Sequence, residues 1–382
     1  MMIDEKRMAE TFMNLVRIDS VSREEAEVSN VIQGMLKPLG AEIVIDGAGE
    51  KVGGDTGNLI ARFAGNVNVP PLFLNAHMDT VGPGRGIEPV FENGVFTSRG
   101  PTILGADDKS AIAIILEVLR VIRENNLACG PLEVVFTVCE EVGLLGAKHL
   151  DYDSLSASYG FALDATDPLG VVTRAPSAND LAFSVFGREA HAGAAPEKGI
   201  NAIKIASQAI AQLQLGRIDA ETTCNIGMIE GGLATNIVPG LVKIRGEVRS
   251  HDPEKLEAVT ARIVSAFEAA VENCPEKDVA ASLPALESEV RQEYTRTNIP
   301  PEHPVVALAM RASENLGREM ACKTTGGGAD ANVFFQHGIV LGVLGTGMRN
   351  MHTVNESVRL SDMVQSAELL LEILKLHAQT AV

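Results

Sequence analysis

The chain has no tryptophan and only three tyrosines, and aromatic residues make up 4% of it. That scarcity argues against a large aromatic-lined specificity pocket. Long apolar runs are missing too: none approaches the roughly 18 residues needed to cross a bilayer. Positive charge is in deficit, with 32 Lys and Arg against 50 Asp and Glu and a formal net charge of −18. This argues against nucleic acid or an anionic membrane as a partner, and its plain meaning is solubility. Cysteines stand at 129, 139, 224, 274 and 322, an odd number with no C-x-x-C pair. Set in or beside apolar runs, they read as free, buried thiols of a reducing compartment. The opening Met1-Met2-Ile3-Asp4-Glu5-Lys6-Arg7 mixes signs and has no apolar core, so no signal peptide is read there and a cytoplasmic protein is expected.

What is present is enough apolar residue, 46% of 382, for a large core and two domains. Helix-like periodicity covers 8–18 and 23–36, the second opened by a capping box, Ser22-x-x-Glu25. Short β-like runs at 42–46, 58–63 and 71–76 follow, then a glycine-rich stretch at 82–86 with no helix after it, which rules against a nucleotide loop. A helix over 109–124, a strand over 132–139 and another from Tyr159 to Leu163 complete an alternation typical of a mostly parallel α/β sheet. From 178 the pattern changes to strand 181–186, helix 200–213, strands 223–230 and 240–249, helix 253–273 and a last strand within 279–294. This β-α-β-β-α-β order is a split βαβ arrangement, a four-stranded α+β unit. Helices 304–316 and 361–378 with strand 339–344 return to the first domain, so 178–295 reads as an insertion between catalytic parts 1–177 and 296–382.

The chemistry gathers at strand ends and one helix start. Gly105-Ala106-Asp107-Asp108-Lys109 puts two adjacent carboxylates at the entry of an apolar helix. They repel each other and resist burial, and the helix terminus offers only about half a charge. A bound cation, and more readily two, would meet the deficit. Ligands in open α/β sheets bind at the carboxyl ends of strands. There stand His77, with Asp79 two residues on, then Glu140-Glu141 after an all-apolar strand, and Asp164. Taken singly, each has a bland alternative: a surface histidine, a helix-start acid pair, a turn aspartate. His352, in a polar loop, is unremarkable alone. Together, two histidines and three carboxylates make an environment suited to zinc, or to manganese or cobalt.

The motifs Asn75-Ala76-His77-Met78-Asp79-Thr80-Val81, Gly105-Ala106-Asp107-Asp108-Lys109 and Glu140-Glu141-Val142-Gly143, in this order, resemble the dinuclear zinc exopeptidases that include peptidase T, glutamate carboxypeptidase and aminoacylase. Ala190-His191-Ala192-Gly193 and Gly327-Gly328-Ala329-Asp330-Ala331-Asn332 are similar to the peptidase T-like branch. The resemblance implies two zinc ions, one held by His77, Asp107 and Asp164, the other by Asp107, Glu141 and His352. It implies Glu140 as general base and Asp79 as the partner of His77. On the inserted domain, which it casts as a lid and dimerisation unit, His191 would reach a partner subunit's site. Arg249 would clamp a substrate carboxylate, with Asn236 and Gly327 nearby, and a cis peptide would join Asp107 to Asp108. The expected reaction is hydrolysis of short peptides with a free carboxylate by a homodimer. Removal of an acyl group from an amino acid is the alternative with the same chemistry. A metal-bound peptide binder is a further class, against which the presence of Glu140 counts.

Overall fold

The computed structural model describes residues 3–380. Met1 and Met2, part of the stretch read above for a signal peptide, lie outside the described residues. Two hydrophobic cores divide the chain into two units, one made of the chain up to Arg174, Thr297–Thr325 and the chain from Ala329 on. The other is made of Ala175–Arg296 and Gly326–Gly328.

In the first unit the apolar run Leu132–Thr137 is buried at every position, as is Leu72–His77. Strands buried on both faces have no use for alternation, which is why these runs are mostly apolar, with Glu133, Thr137, Asn75 and His77 as their polar members. They pair in parallel, Leu72 opposite Leu132 and His77 opposite Thr137. Tyr159–Ala165 lies parallel on the other side of Leu72–His77, and Val340–Gly345 parallel beyond it. Antiparallel strands flank this core of the sheet, Leu59–Phe63 and Glu42–Ile45 at one side and Gly170–Ala175 at the other. Parallel strands end on one edge, so the residues at or just beyond their carboxyl ends become neighbours. The helix Ala106–Glu124 buries its apolar face against this sheet and against the helices Glu5–Val16 and Leu360–Ala378. The mostly parallel α/β sheet expected from the sequence is present.

The second unit has the β-α-β-β-α-β order. Its sheet runs Gly216–Arg217, Thr222–Gly231, Leu241–Ser250, Ser177–Phe186, Ala285–Tyr294, all antiparallel. Ser177–Phe186 alternates buried and half-buried residues over its second half, the signature of a sheet covered on one face. The helices Ala202–Ala211 and Pro253–Glu272 cover it, with Phe183 and Phe267 stacked at 4.2 Å. The two-residue strand Gly216–Arg217 makes five strands where the sequence reading expected four.

Other expectations need correcting. The second helix starts at Ala26 without a side-chain cap, because Ser22 and Glu25 are drawn elsewhere. The Ser22 hydroxyl donates to Asp79, and Glu25 accepts the backbone N–H of Cys139. After the glycine-rich stretch there is a hairpin, Glu88–Glu92 with Val95–Arg99, which the sequence reading left out. Its signal was the Asn93-Gly94 pair, whose φ angles of 51° and 78° suit a tight hairpin turn. Cys322 is exposed, whereas the other four cysteines are buried, and all five are free. No helix among the described residues is long and apolar enough to cross a membrane.

Candidate metal centre

His77 closes its strand and is 2% exposed. Its Nδ1–H donates to the main-chain oxygen of Asp79 at 3.0 Å, with the Asp79 carboxylate 3.5 Å away. In the neutral ring the other nitrogen, Nε2, therefore faces Asp107 Oδ1, at 3.0 Å, with its lone pair. Two lone pairs do not sit opposed in a buried place unless a proton or a metal ion lies between them. Asp107 follows Gly105, whose φ of 74° turns the chain into the helix, and the Asp107–Asp108 peptide is cis. Asp108 turns the other way and accepts the backbone N–H of His77 at 3.2 Å.

Glu140 and Glu141 follow Cys139, which has φ of 53°. This turn aims both backbone N–H groups at Asp79, which accepts them at 2.9 and 3.2 Å. With the Ser22 hydroxyl at 2.6 Å, the fully buried Asp79 carboxylate holds three donors. His352 sits in a loop at φ of 62° and is exposed. Its Nε2 lies 3.0 Å from Glu141 Oε1 and 3.3 Å from Asp107 Oδ2. Asp164, one residue before its strand ends, completes the group. Donor atoms of His77, Asp107 and Asp164 lie within 4.8 Å of one another, as do those of Asp107, Glu141 and His352. The set His77, Glu140 and Glu141 meets the same distance.

The charge balance is lopsided. Burial drives Asp108, Glu140 and Asp164 well above the ordinary carboxylate range, and Asp107 adds to the effect on Asp164. Burial also raises Glu141, which the hydrogen bond to His352 partly offsets. For Asp107 burial pushes the same way, but hydrogen bonds to His352 and His77 win and hold it low. His352, hydrogen-bonded to Asp107 and Glu141, is pushed up to about 10. Burial opposes charge on His77, yet its bond to Asp107 raises it well above the usual histidine value. Such a cluster calls for positive charge.

Divalent ions fit this donor set. Zinc–nitrogen and zinc–oxygen bonds of about 2.0–2.2 Å put two ligand atoms of one tetrahedral ion ~3.3 Å apart. The imidazole–carboxylate separations of 3.0, 3.0 and 3.3 Å match that spacing. Hard oxygen and borderline nitrogen donors suit zinc, cobalt or manganese.

The remaining residues singled out from the sequence lie on the second unit. His191 is exposed, and its Nδ1 accepts the backbone N–H groups of Gly193 and Ala194, both at 3.1 Å. In the neutral ring the proton is therefore on Nε2, which makes that nitrogen a donor. Arg249, near the end of its strand, donates to Glu247 at 2.9 Å and to the Gly326 carbonyl at 3.4 Å, next to Gly327. Its Nε is buried without a hydrogen-bond partner. Asn236 is exposed, and its carbonyl accepts the Ala192 N–H at 2.9 Å, so the loops of His191 and Asn236 are joined.

Sequence reasoning read Ser22 and Glu25 as a cap and quoted Asp330 within a motif, but gave none of the three a role at the site. Asp330 is 2% exposed and accepts a hydrogen bond from the hydroxyl of Thr137, on the strand that leads to Glu140. Its sequence signal was its place in the Gly327–Asn332 motif, an acid among small residues before an apolar helix.

Residues 73–376 match Peptidase family M20/M25/M40. The solved structure of aminopeptidase PepT from Bacillus cereus is 40% identical and has a TM-score of 0.87, with 100% of both chains covered. That of a tripeptidase from Staphylococcus aureus is 36% identical with a TM-score of 0.92, again over 100% of both. Peptidase T of Brevibacillus brevis is 27% identical over 97% of this chain and 98% of its own. Fold and site together define a metallopeptidase, a hydrolase of peptide bonds. The chain belongs to peptidase family M20/M25/M40, in its peptidase T-like branch.

Proposed function

We propose that the chain is a cytoplasmic, zinc-dependent exopeptidase that hydrolyses tripeptides and similar short peptides with a free carboxylate. The observation that carries this is the position of Asp107 between two imidazoles, Oδ1 at 3.0 Å from His77 and Oδ2 at 3.3 Å from His352. One carboxylate is thus shared between two sets of three donors, as a two-ion centre requires. His77, Asp107 and Asp164 would hold one zinc, and Asp107, Glu141 and His352 would hold the other. Bound there, such ions would supply Lewis acidity, lowering the pKa of water and offsetting charge on a carbonyl oxygen.

The protein's own groups do the rest. Glu140, 8% exposed and turned into the site by its N–H bond to Asp79, takes a proton from the attacking water and passes it to the leaving amine. Asp79 fixes both the direction of Glu140 and the orientation of His77. His191, with its proton on Nε2, donates to the carbonyl oxygen in a partner subunit's site of a homodimer formed by the second unit. Arg249 pairs with the substrate carboxylate, and Asn236 and the Gly327 backbone line its place. Orienting a small substrate at both ends supplies much of the rate.

The test is amino-acid release from a panel of dipeptides, tripeptides and N-acyl amino acids by protein stripped of metal and reloaded with zinc, cobalt or manganese. Preferred release from tripeptides by the zinc-loaded protein is expected. Preference for N-acyl amino acids would instead assign acyl removal, and activity that survives stripping would overturn the metal-dependent reading.

A further inference from the structure

Glu356 is a buried carboxylate that the mechanism leaves unused. It is 2% exposed, and both its oxygens accept backbone N–H groups from a stretch some 250 residues earlier. Oε2 accepts from Leu104 and Gly105, both at 2.8 Å, and Oε1 accepts from Asp107 at 2.9 Å. Three converging N–H groups form an anion-holding concavity, and a carboxylate fills it with charge-assisted bonds.

The position of Glu356 in the chain gives those bonds a second consequence. Arg349 and Ser357 exchange both backbone hydrogen bonds, at 2.9 and 3.0 Å, and so close the loop that carries His352. Glu356 is the last residue inside that closure, and its own N–H is held by Thr353 at 3.1 Å. Ser357–Arg359 then pairs with Val95–Arg99. One side chain therefore ties the main chain of Asp107 to the base of the His352 loop. His352 needs such a tie, because it is exposed and its backbone sits in the left-handed region.

We infer that Glu356 is a positioning residue that sets the separation of Asp107 from His352 and thereby the affinity for the ion these two share with Glu141. The inference rests on the two-ion reading above. Glu356→Gln keeps the volume but turns an amide NH2 toward an N–H donor, so at least one of the three bonds is lost. Its partner substitution is Glu133→Gln. Glu133 is also buried and accepts the N–H groups of Ser156 and Ala157 and the Ser156 hydroxyl, at the opposite end of its strand from Glu140 and Glu141.

The experiment is zinc titration of the metal-free protein by calorimetry, with thermal melting of the same samples. Wild type takes up two equivalents. E356Q is expected to bind one equivalent as wild type does and the other about 10- to 100-fold more weakly, as loss of a group that orients a ligand does. E133Q is expected to melt lower but to bind both normally. In a His352→Ala background, which has already lost the shared site, E356Q should leave the remaining equivalent unchanged. Two equivalents at wild-type affinity in E356Q, or the same loss in E133Q, overturn the inference. If E356Q does not fold, Glu356→Asp, which keeps the charge but draws it back by one methylene, is titrated, and unaltered binding there overturns it equally. Fewer than two equivalents in wild type would instead sink the two-ion reading.

Discussion

Buried carboxylates are handled in two ways in the first unit. Glu117, wholly buried in the helix Ala106–Glu124, is met by Arg7 through Nε and Nη2 at 2.7 and 2.8 Å and by the N–H of Asp4 at 3.0 Å. Some ten residues toward the start of the same helix, Asp107 shares its surroundings with Glu140, Glu141 and Asp164, and the cations in direct contact are the imidazoles of His77 and His352. In the first place the fold supplies a permanent counter-charge, and the acid serves stability. In the second it gathers four acids around two imidazoles, an excess of negative charge that a cation from solution would balance. That difference, more than the residue types, marks a binding centre.

The largest expected effect breaks the chemistry without touching the metals. Glu140→Gln should lower kcat by about 10²- to 10⁴-fold, while metal analysis still finds both ions. Near-normal turnover would remove Glu140 from its role.

The comparison itself is tested by a pair of substitutions. Arg7→Met leaves Glu117 buried without its partner and should cost about 3–5 kcal/mol in denaturant unfolding. Asp164→Asn in the metal-free protein takes away a like charge, and stability should hold or rise. A loss of the Arg7→Met size in the Asp164 variant would show that the two places are built alike.

Acidity sharpens the contrast further. Burial, aided by Asp79, pushes Glu25 up to about 7, and burial pushes Asp330 up to about 6, against roughly 4 for such acids in an unfolded chain. A raised folded pKa means that the native state holds the extra proton, so this stability is full below about pH 4 and lost as pH rises through 6 to 7. His352, at about 10 against 6.5 in the unfolded chain, continues the same slope above neutrality. Calorimetry of the metal-free protein should therefore show a lower Tm at pH 8 than at pH 5. Saturating zinc should flatten or reverse that trend, because ions replace protons. A metal-free Tm that climbs with pH over this range would contradict the assignment of charge.

The smallest effect belongs to Ser22→Ala. It removes one of three donors to Asp79 and should cost about 1–2 kcal/mol of stability with only a few-fold change in kcat. A large fall in kcat would mean that the hydroxyl matters to the reaction itself.

How much could be read in advance follows from how far each signal travels along the chain. The mostly apolar strands Leu72–His77 and Leu132–Thr137 announce burial on both faces by composition. Two adjacent acids at Asp107 and Asp108, and two more at Glu140 and Glu141, are local patterns as well. Ser22 and Glu25 show the limit. Their spacing satisfies a capping rule, yet a carboxylate 57 residues away claims the hydroxyl and a backbone N–H 114 residues away claims the acid. A local motif loses when a buried, charged acceptor competes for the same donor.

Sequence alone settled which acids and imidazoles lie at strand ends and helix starts, because periodicity and capping are properties of neighbouring residues. The resemblance already pointed to Asp107 between His77 and His352, but only the tertiary structure decided that Asp79 turns to the Glu140–Glu141 backbone and that Glu356 ties two distant loops together. Those outcomes depend on which N–H groups and charges meet once water is gone, and no stretch of chain carries that information by itself.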